Sequence, residues 1–446
     1  MYVLSTFTRM MDLLIGWPLI FYVLPISIIC TIATRFIQVR YFVAAWRYTL
    51  FPAKIEKHNA SDMSPVQAFI NTLNISIGNG SVAGMATAIY SGGPGAAFWV
   101  VAISVLLMSV RFAEVYLSTY FGAKVQKGTV LGGPMLYLRQ VVAGRALAII
   151  YAVCCCAFGL LVGNAVQANS IGLSVQTTFG IPALVSALVM LAFIVYVLTG
   201  GASRIVSLSQ RIVPIKVFVF FVSAVALLIY HYQSLIPALS LIMRSAFSPL
   251  ALSGGILGFS VQQAMRYGIS RSILATESGL GTAAILFGKT GSTGPVRDAI
   301  MSMLGTFVSM LVCFMISLVI VASGVWHNGL TSTALTISAY ETLFGAAGGL
   351  LVTFLSISFG IGVMVSYAYI TQAAWRTLIT DPRGLFFMIA YSLFTFMGPL
   401  IDVSLLWSWC DLATVSMLLI NLFGIMYLLP RIRTGIASFE RAGTNE

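Results

Sequence analysis

The stretch Asn74-Ile-Ser-Ile-Gly-Asn-Gly-Ser-Val-Ala-Gly84 decides the fold, because glycine and polar residues interrupt an apolar run that is long enough to cross a membrane. A second interruption, Ser253-Gly-Gly-Ile-Leu-Gly258, falls in a later apolar run. Backbone groups inside a bilayer have no water to bond, so such breaks persist where they line a cavity within the protein. Glycines that only allow close helix packing, or that kink a helix, are the alternative for either stretch alone.

The composition of the chain is that of a membrane protein. Of its 446 residues, 59% are hydrophobic and 8% are charged, whereas about 25% of the residues of a soluble domain are charged. Apolar stretches of about 20 residues recur along the chain, and each can cross about 30 Å of hydrocarbon as a helix. We therefore predict an all-α polytopic protein of the cell (inner) membrane, whose first apolar run, 15–33, is a retained span.

A leading helix near 17–37 and ten core spans account for the apolar runs. The predicted starts of the core spans are Gln67, Gly95, Ala146, Ile181, Ile212, Pro249, Ala299, Gly348, Leu385 and Leu405. The two interruptions then fall in the first and sixth core spans, which open two successive sets of five. An odd number of spans inverts the second set, and inverted repeats with broken helices place a substrate and ion site near the midplane.

These spans divide the chain into five predicted segments. Residues 1–45 are an extracellular amino terminus and the leading helix, 46–65 a cytoplasmic loop, 66–230 the first five-helix repeat, 246–430 the inverted second repeat and 431–446 a cytoplasmic tail.

Basic residues indicate the orientation of the spans. With these boundaries, 22 of the 24 lysine and arginine residues fall on one side, and Arg9 and Arg244 fall on the other. Cytoplasmic loops carry such an excess, so the amino terminus is predicted outside and the carboxyl terminus inside. The formal charge of +12 therefore follows from topology and not from a nucleic-acid partner, since no long basic block occurs.

Seven short motifs connect the chain to a known transporter family. They are Ser64-Pro-Val-Gln-Ala-Phe69, Gly78-Asn-Gly-Ser-Val-Ala-Gly84 continuing to Gly92-Gly-Pro-Gly95, Arg111-Phe-Ala-Glu114, Gly132-Gly-Pro-Met135, Gly163-Asn-Ala-Val-Gln-Ala-Asn-Ser170, Arg266-Tyr-Gly268 and Glu277-Ser-Gly-Leu-Gly281. Through them the chain resembles the alanine or glycine:cation symporters, also called sodium:alanine symporters, as far as about Leu429. The resemblance implies an inverted-repeat fold of the amino acid-polyamine-cation type and sodium-driven uptake of a small neutral amino acid such as alanine or glycine.

An amino acid at the midplane needs donors for its carboxylate and acceptors for its ammonium, because an unpaired charge there costs several kcal/mol. The first break offers backbone amides around Gly78, Asn79, Gly80 and Ser81. The second offers carbonyls near Gly254, Gly255 and Gly258. Small side chains in both places let a ligand approach the backbone, so these residues are predicted to bind substrate.

Two further pairs of polar residues carry predictions. Asn164 and Gln167 are three apart on core span 3 and share a helical face, which favours a substrate or gating role; hydrogen bonding between helices is the alternative. Arg111 and Glu114, near the predicted cytoplasmic end of core span 2, indicate a structural ion pair. Glu277, after core span 6, fits a gate or a stabilising contact and not a substrate contact.

The chain departs from the family where the coupling ion should bind. The family usually has an acid near Ser309, a Ser-Thr pair near Gly360 and Ile361, and a Trp near Val365. Loss of the two hydroxyls removes oxygen ligands that a hard cation such as sodium requires. Sodium coupling is therefore expected to be weakened.

Sodium is still the predicted coupling ion, with a site near Ser76 and Ser358, which keep hydroxyl groups on core spans 1 and 8. Proton coupling and uncoupled transport are the alternatives. A non-transporting amino-acid sensor on the same scaffold is the rival from another class. No other cofactor is expected.

An enzyme or a channel fits the sequence less well. The only histidines are His58, His231 and His327, all near loops, and no paired intramembrane carboxylates or metal-spaced ligands occur. A channel needs a continuous polar lining, which these spans lack. The expected partners are a small neutral amino acid and the lipid bilayer, and no catalytic residue is assigned.

We predict that Ser61 faces the cytoplasm, because the basic residues between Arg40 and Lys57 hold that loop inside. A cysteine introduced by Ser61→Cys into a cysteine-free background should react with an impermeant thiol reagent only in permeabilised cells. Labelling of intact cells from outside would contradict the predicted orientation.

Overall fold

The computed structural model describes most of the chain as helices. The described residues are 20–51, 63–123, 132–247, 261–288, 290, 292, 294–379, 381 and 384–443. The α-helices in these ranges are α1 Ile20–Ala33, α2 Ile37–Arg40, α3 Phe42–Leu50, α4 Pro65–Ser76, α5 Asn79–Gly92, α6 Gly95–Gly122, α7 Pro134–Tyr137, α8 Gly144–Leu160, α9 Val166–Phe179, α10 Ala183–Thr199, α11 Gly201–Tyr230, α12 Tyr232–Phe247, α13 Val261–Thr276, α14 Thr282–Phe287, α15 Pro295–Ala322, α16 Ser332–Phe344, α17 Ala346–Leu378, α18 Leu385–Met397, α19 Val403–Tyr427 and α20 Leu429–Gly443. Short 3₁₀ turns cover Leu138–Gln140, Val325–His327 and Gly398–Leu400, and a π-helical segment, Leu161–Ala165, joins α8 to α9.

The helices confirm an all-α membrane protein. In the described ranges, six helical stretches are long and apolar enough to cross a bilayer, and three shorter apolar ones accompany them. Two interrupted spans, α4 with α5 and α13 with α14, bring the total to the eleven crossings that the sequence predicts. The predicted starts of the core spans lie within four residues of the helix starts, except for core spans 5 and 6: α11 begins at Gly201, before the predicted Ile212, and the stretch around Pro249 lies outside the described residues.

The first interrupted span is broken between Ser76 and Asn79. Its first half, α4, begins with a capping box: the Ser64 hydroxyl accepts from the Gln67 amide at 3.2 Å, and the Gln67 side chain accepts from the Ser64 amide at 2.9 Å. Ile77 and Gly78 leave the helical conformation, and α5 resumes at Asn79. The predicted break in core span 1 is therefore present.

The second interrupted span contains a break at 277–281, which the sequence does not predict. Gly279 and Gly281 have φ of 87° and 82°, in the left-handed region that glycine enters at little cost, and the helix resumes as α14. Within the described residues core span 6 starts as α13 at Val261, and the predicted start near Pro249 lies outside them. The stretch 253–258, where the sequence analysis expects the break, lies outside the described residues.

The two broken spans lie side by side in the centre of the bundle. Helices α6 and α15 pack along each other, and α13 packs against both α5 and α6. A β-carbon placed at Gly268 would lie 2.5 Å from that of Trp99, and Arg111, further along α6, reaches the end of α13. Thus α13 and α6 run in the same direction, and glycine lets them approach closely.

This arrangement corrects part of the charge count behind the predicted orientation. Arg111 and Lys216 are fully buried within α6 and α11, and Arg266 and Arg271 belong to α13 beside α5. These four residues therefore do not lie in cytoplasmic loops. The other basic residues still favour the predicted orientation, which remains a prediction.

Candidate functional site

The break between α4 and α5 frees backbone groups that side chains from other helices satisfy. The Lys216 ammonium donates to the carbonyls of Asn74 at 3.1 Å and Ile77 at 2.8 Å. The Ser81 hydroxyl donates to the Ser76 carbonyl at 3.1 Å. Carbonyls at the end of α4 thus have partners, as backbone groups inside a membrane require.

Gln167 bonds the other side of the same break. Its side-chain oxygen accepts from the Asn79 amide at 3.2 Å, and its side-chain nitrogen donates to the Val162 carbonyl at 3.1 Å. Val162 lies in the π-helical segment, and such segments are frequent at functional sites because they shift the helical register locally. The predicted residue Gln167 is therefore in contact with the predicted residue Asn79.

A narrow cavity adjoins the first break. Its free volume is about 10 Å³, roughly enough for one water molecule. Its walls come from both broken spans and from α9, α17 and α19. The lining residues are Ile75, Ser76, Gly78, Gly80, Val162, Val166, Gln167, Leu274, Glu277, Val363 and Trp407.

Glycine is required at one position of the cavity wall and leaves space at another. A β-carbon at Gly78 would lie 2.5 Å from a methyl carbon of Val363, which is closer than real side chains come. A β-carbon at Gly80 would meet only the Leu274 carbonyl oxygen, at 4.0 Å. Gly78 therefore permits α17 to pack against the break, whereas Gly80 keeps room in the cavity.

Charged residues of α6 satisfy the second break. The Glu114 carboxylate accepts from the amides of Gly279 at 3.1 Å and Gly281 at 2.9 Å, and the Arg111 guanidinium donates to the Thr276 carbonyl. Arg111 and Glu114 also form an ion pair at 3.0 Å, and both are fully buried. The predicted ion pair is thus confirmed, but it lies at the second break and not at a membrane surface.

Asn421 of α19 completes this second network. Its side-chain nitrogen donates to the Gly279 carbonyl at 2.8 Å and to the Glu114 carboxylate at 3.2 Å. The residue is fully buried in an apolar helix. Asn421 is the one asparagine of α19, and a single amide in such an apolar span is the sequence signal that indicates this contact.

Arg271, Trp407 and Asp411 lie next to the cavity. The Arg271 guanidinium lies over the Trp407 ring, 4.3 Å from its centroid, and its nitrogen is 3.5 Å from the Asp411 carboxylate. Trp407 lines the cavity, and a β-carbon at Gly84 of α5 would contact both Trp407 and Arg271. These residues cover the cavity on the α5 side. Glu277 also lines the cavity, where it accepts from the Thr282 hydroxyl at 2.8 Å.

Asn164, a further predicted site residue, lies apart from the cavity wall. Asn164 turns to α18, where it donates to the Tyr391 carbonyl at 2.6 Å and accepts from the Thr395 hydroxyl at 2.8 Å. It does not line the cavity with Gln167. Gly254, Gly255 and Gly258 lie outside the described residues.

The predicted cation positions on α17 face in different directions. A β-carbon at Gly360 would contact Ile171 and the Asn79 side chain, and Ile361 lines an apolar groove between α9, α10 and α17. Ser358 is partly exposed. Gly362 is the residue of α17 whose carbonyl bonds α4, since it accepts from the Asn74 side chain at 2.8 Å.

Broken helices that meet at a small buried cavity define the class of the protein: it is a secondary transporter built from inverted repeats. The chain belongs to the sodium:alanine symporter family, which matches it over residues 1–446. The resemblance seen in the motifs is thereby confirmed. The family consists of membrane symporters and not of enzymes.

Similar proteins cover nearly the whole chain. An uncharacterized transporter of Haemophilus influenzae is 31% identical over 93% of this chain and 91% of its own length. The sodium/alanine symporter AgcS of Methanococcus maripaludis is 28% identical over 94% and 93% of the two chains. A solved structure of a Na⁺-coupled sialic acid symporter superposes with a TM-score of 0.51 at 12% identity, over 92% and 84% of the chains, and supports the fold alone.

We predict that Glu114→Gln destabilises the fold, because it leaves the buried Arg111 charge without its partner beside the second break. Removal of one member of a buried ion pair costs about 3 to 5 kcal/mol. Thermal unfolding of the purified protein in detergent should show a clearly lower midpoint. Glu341→Gln, at an exposed glutamate of α16, is the control and should leave the midpoint unchanged. Equal midpoints for the two variants would contradict the proposed role of Glu114.

Proposed function

We propose that this protein imports a small neutral amino acid, alanine or glycine, in symport with a cation by alternating access around the cavity at the first break. The observation that carries the proposal is the cavity itself, which lies between the two broken spans beside the start of α5. Family membership supports amino-acid symport, and the name of the relative AgcS supports alanine as a substrate.

The amino end of α5 suits the substrate carboxylate. A helix of this length carries partial positive charge at its first turn, where backbone amides also point outward. Gly80 lies in that first turn and lines the cavity, so a ligand can reach the backbone. Of the four amides predicted to bind substrate, that of Asn79 already donates to Gln167 and that of Ser81 to the Gly78 carbonyl at 3.0 Å. We therefore assign the carboxylate to the amides at Gly78 and Gly80, which line the cavity.

Acceptors for the substrate ammonium lie on the opposite walls. Gln167 and Glu277 both place side chains on the cavity, from α9 and from the second break. Gln167 already accepts from Asn79, and an amide oxygen has a second lone pair for another donor. Glu277 therefore joins the proposed substrate site, although the sequence favours a gate or a stabilising contact there and not a substrate contact. The acceptors near Gly254, Gly255 and Gly258 remain a prediction.

The walls of the cavity favour the smallest side chains. Val162, Val166 and Val363 line it, and Trp407 covers it. The present volume admits about one water, so the walls must move apart to admit any amino acid. Each additional methylene group would enlarge that displacement, which explains why we propose alanine and glycine and not a larger amino acid.

Sodium is the coupling ion that family membership favours. Ser76, one of the two residues predicted to hold it, lines the cavity, and its hydroxyl oxygen is buried with no hydrogen-bond partner among the described residues. Ser358 is not part of the cavity wall. At the end of α4, the Lys216 ammonium bonds the carbonyls of Asn74 and Ile77.

Counterflow in proteoliposomes tests the proposed function. Labelled alanine should exchange into vesicles loaded with unlabelled alanine or glycine, with sodium and pH varied independently. Gly80→Val should abolish exchange and alanine-dependent thermal stabilisation, because its side chain fills the cavity. Gly305→Ala is the control, since its β-carbon would make only ordinary contacts away from the cavity. Alanine binding without exchange would identify a sensor, and equal exchange by parent and Gly80→Val would place the site elsewhere.

Enlarging the cavity should relax substrate selection. Val363→Ala removes two carbon atoms from the cavity wall, and at about 0.8 kcal/mol for each buried carbon group, valine should gain roughly tenfold in affinity relative to alanine. Competition of valine against labelled alanine in counterflow measures the ratio. Val352→Ala removes the same atoms from a buried position of α17 outside the cavity and should not change the ratio. Identical ratios in the two variants would contradict the proposed size filter.

A further inference from the structure

Lys216 is a fully buried lysine in the middle of the bundle. It belongs to α11, and its ammonium makes three hydrogen bonds, to the Asn74 carbonyl at 3.1 Å, the Asn74 side-chain oxygen at 2.7 Å and the Ile77 carbonyl at 2.8 Å. All three acceptors belong to the carboxyl end of α4. Three donors of the ammonium therefore meet three oxygens of one helix end.

These oxygens form a cation site on physical grounds. The carboxyl end of a helix carries partial negative charge, and the break frees carbonyls that no further helical turn can bond. Freed carbonyls at broken helices are the usual ligands for coupling cations in inverted-repeat transporters. A free sodium ion would need the same oxygens that the Lys216 ammonium now uses.

Helix α17 closes this position from the other side. A β-carbon at Gly362 would lie 3.0 Å from the Lys216 nitrogen and 2.2 Å from the Asn74 side-chain oxygen. The Asn74 side chain is held by the Gly362 carbonyl and the Ser366 hydroxyl, both at 2.8 Å. The Phe359 ring faces the ammonium at 5.4 Å. A side chain with an extra oxygen therefore has no room at Gly362.

The charge of the Lys216 ammonium is compensated by the end of α4 and not by an acidic side chain. Among the ion pairs of the described residues, none includes Lys216. An uncompensated charge of this kind costs several kcal/mol when buried, unless its hydrogen bonds are complete and a dipole faces it. The three oxygens and the end of α4 meet both conditions.

We propose that Lys216 is a tethered cation that fills the cation position between α4 and α17, so that amino-acid binding by this chain does not require a free sodium ion there. The proposal rests on the proposed function for the place of the substrate site. It differs from the prediction that weakened sodium binding results from lost hydroxyls at Gly360 and Ile361. Those residues do not face the end of α4.

The first experiment compares sodium chloride with choline chloride at equal ionic strength, without amino acid. The thermal midpoint of the parent should be the same in both salts. Lys216→Ala empties the position, so it should unfold at a lower temperature in choline and regain stability in sodium, because a bound ion stabilises the folded state. Ser223→Ala, at a buried residue of the same helix whose hydroxyl bonds Phe220 and Tyr340, should behave like the parent. A parent stabilised by sodium, or a Lys216→Ala variant indifferent to it, would overturn the proposal.

The second experiment measures alanine affinity in the same two salts. The parent should differ by less than about twofold, whereas Lys216→Ala should bind alanine at least about tenfold more tightly in sodium than in choline. If Lys216→Ala does not fold, the parent protein alone tests the proposal. An alanine affinity more than about tenfold higher in sodium than in choline overturns it, and equal affinities support it. A parent that binds neither alanine nor glycine refutes the proposed function, and the salt comparison without amino acid still tests Lys216.

Discussion

The structure depends on one constraint: a helix broken inside a bilayer must find partners for its freed backbone groups within the protein. The first break is met by Lys216 at its carbonyls and by Gln167 at an amide. The second is met by Arg111 at a carbonyl and by Glu114 at two amides. In both cases a cation serves the carbonyl end and an oxygen acceptor serves the amide end, as the helix dipoles demand.

The inverted repeat extends to these partners. Lys216 lies on the fifth core span and bonds the break of the first, while Asn421 lies on the tenth core span and bonds the break of the sixth. The two halves therefore use equivalent helices for the same task with different chemistry. The fifth core span thus brings a lysine and the tenth an asparagine, and the cavity adjoins the break that the lysine bonds.

The sequence predicts the spans and the first break because both depend on local composition. Long apolar runs set the spans, and glycine with polar residues marks the break at Gly78. The stretch 253–258, where a break is predicted, lies outside the described residues. The break at 277–281 escapes the sequence pattern because Arg271 resembles a loop charge, yet α13 carries it inside the bundle, where Trp407 and Asp411 contact it. Lys216 was likewise counted with loop residues, since a sequence shows the charge of a side chain but not the helix end that neutralises it.

The same bonds that stabilise the breaks also restrict how the transporter can move. Opening the cavity on the α5 side must separate Trp407 and Arg271 from α5, and α5 is tied to α9 by the bond between Asn79 and Gln167. The π-helical segment precedes Gln167 by two residues, so a change of register there can release this bond without unfolding α9. Lys216 instead holds the end of α4 against α11 and α17. With its cation tethered, α4 keeps that contact whether or not sodium is present, so the movement that admits substrate is expected to lie mainly in α5 and its cover.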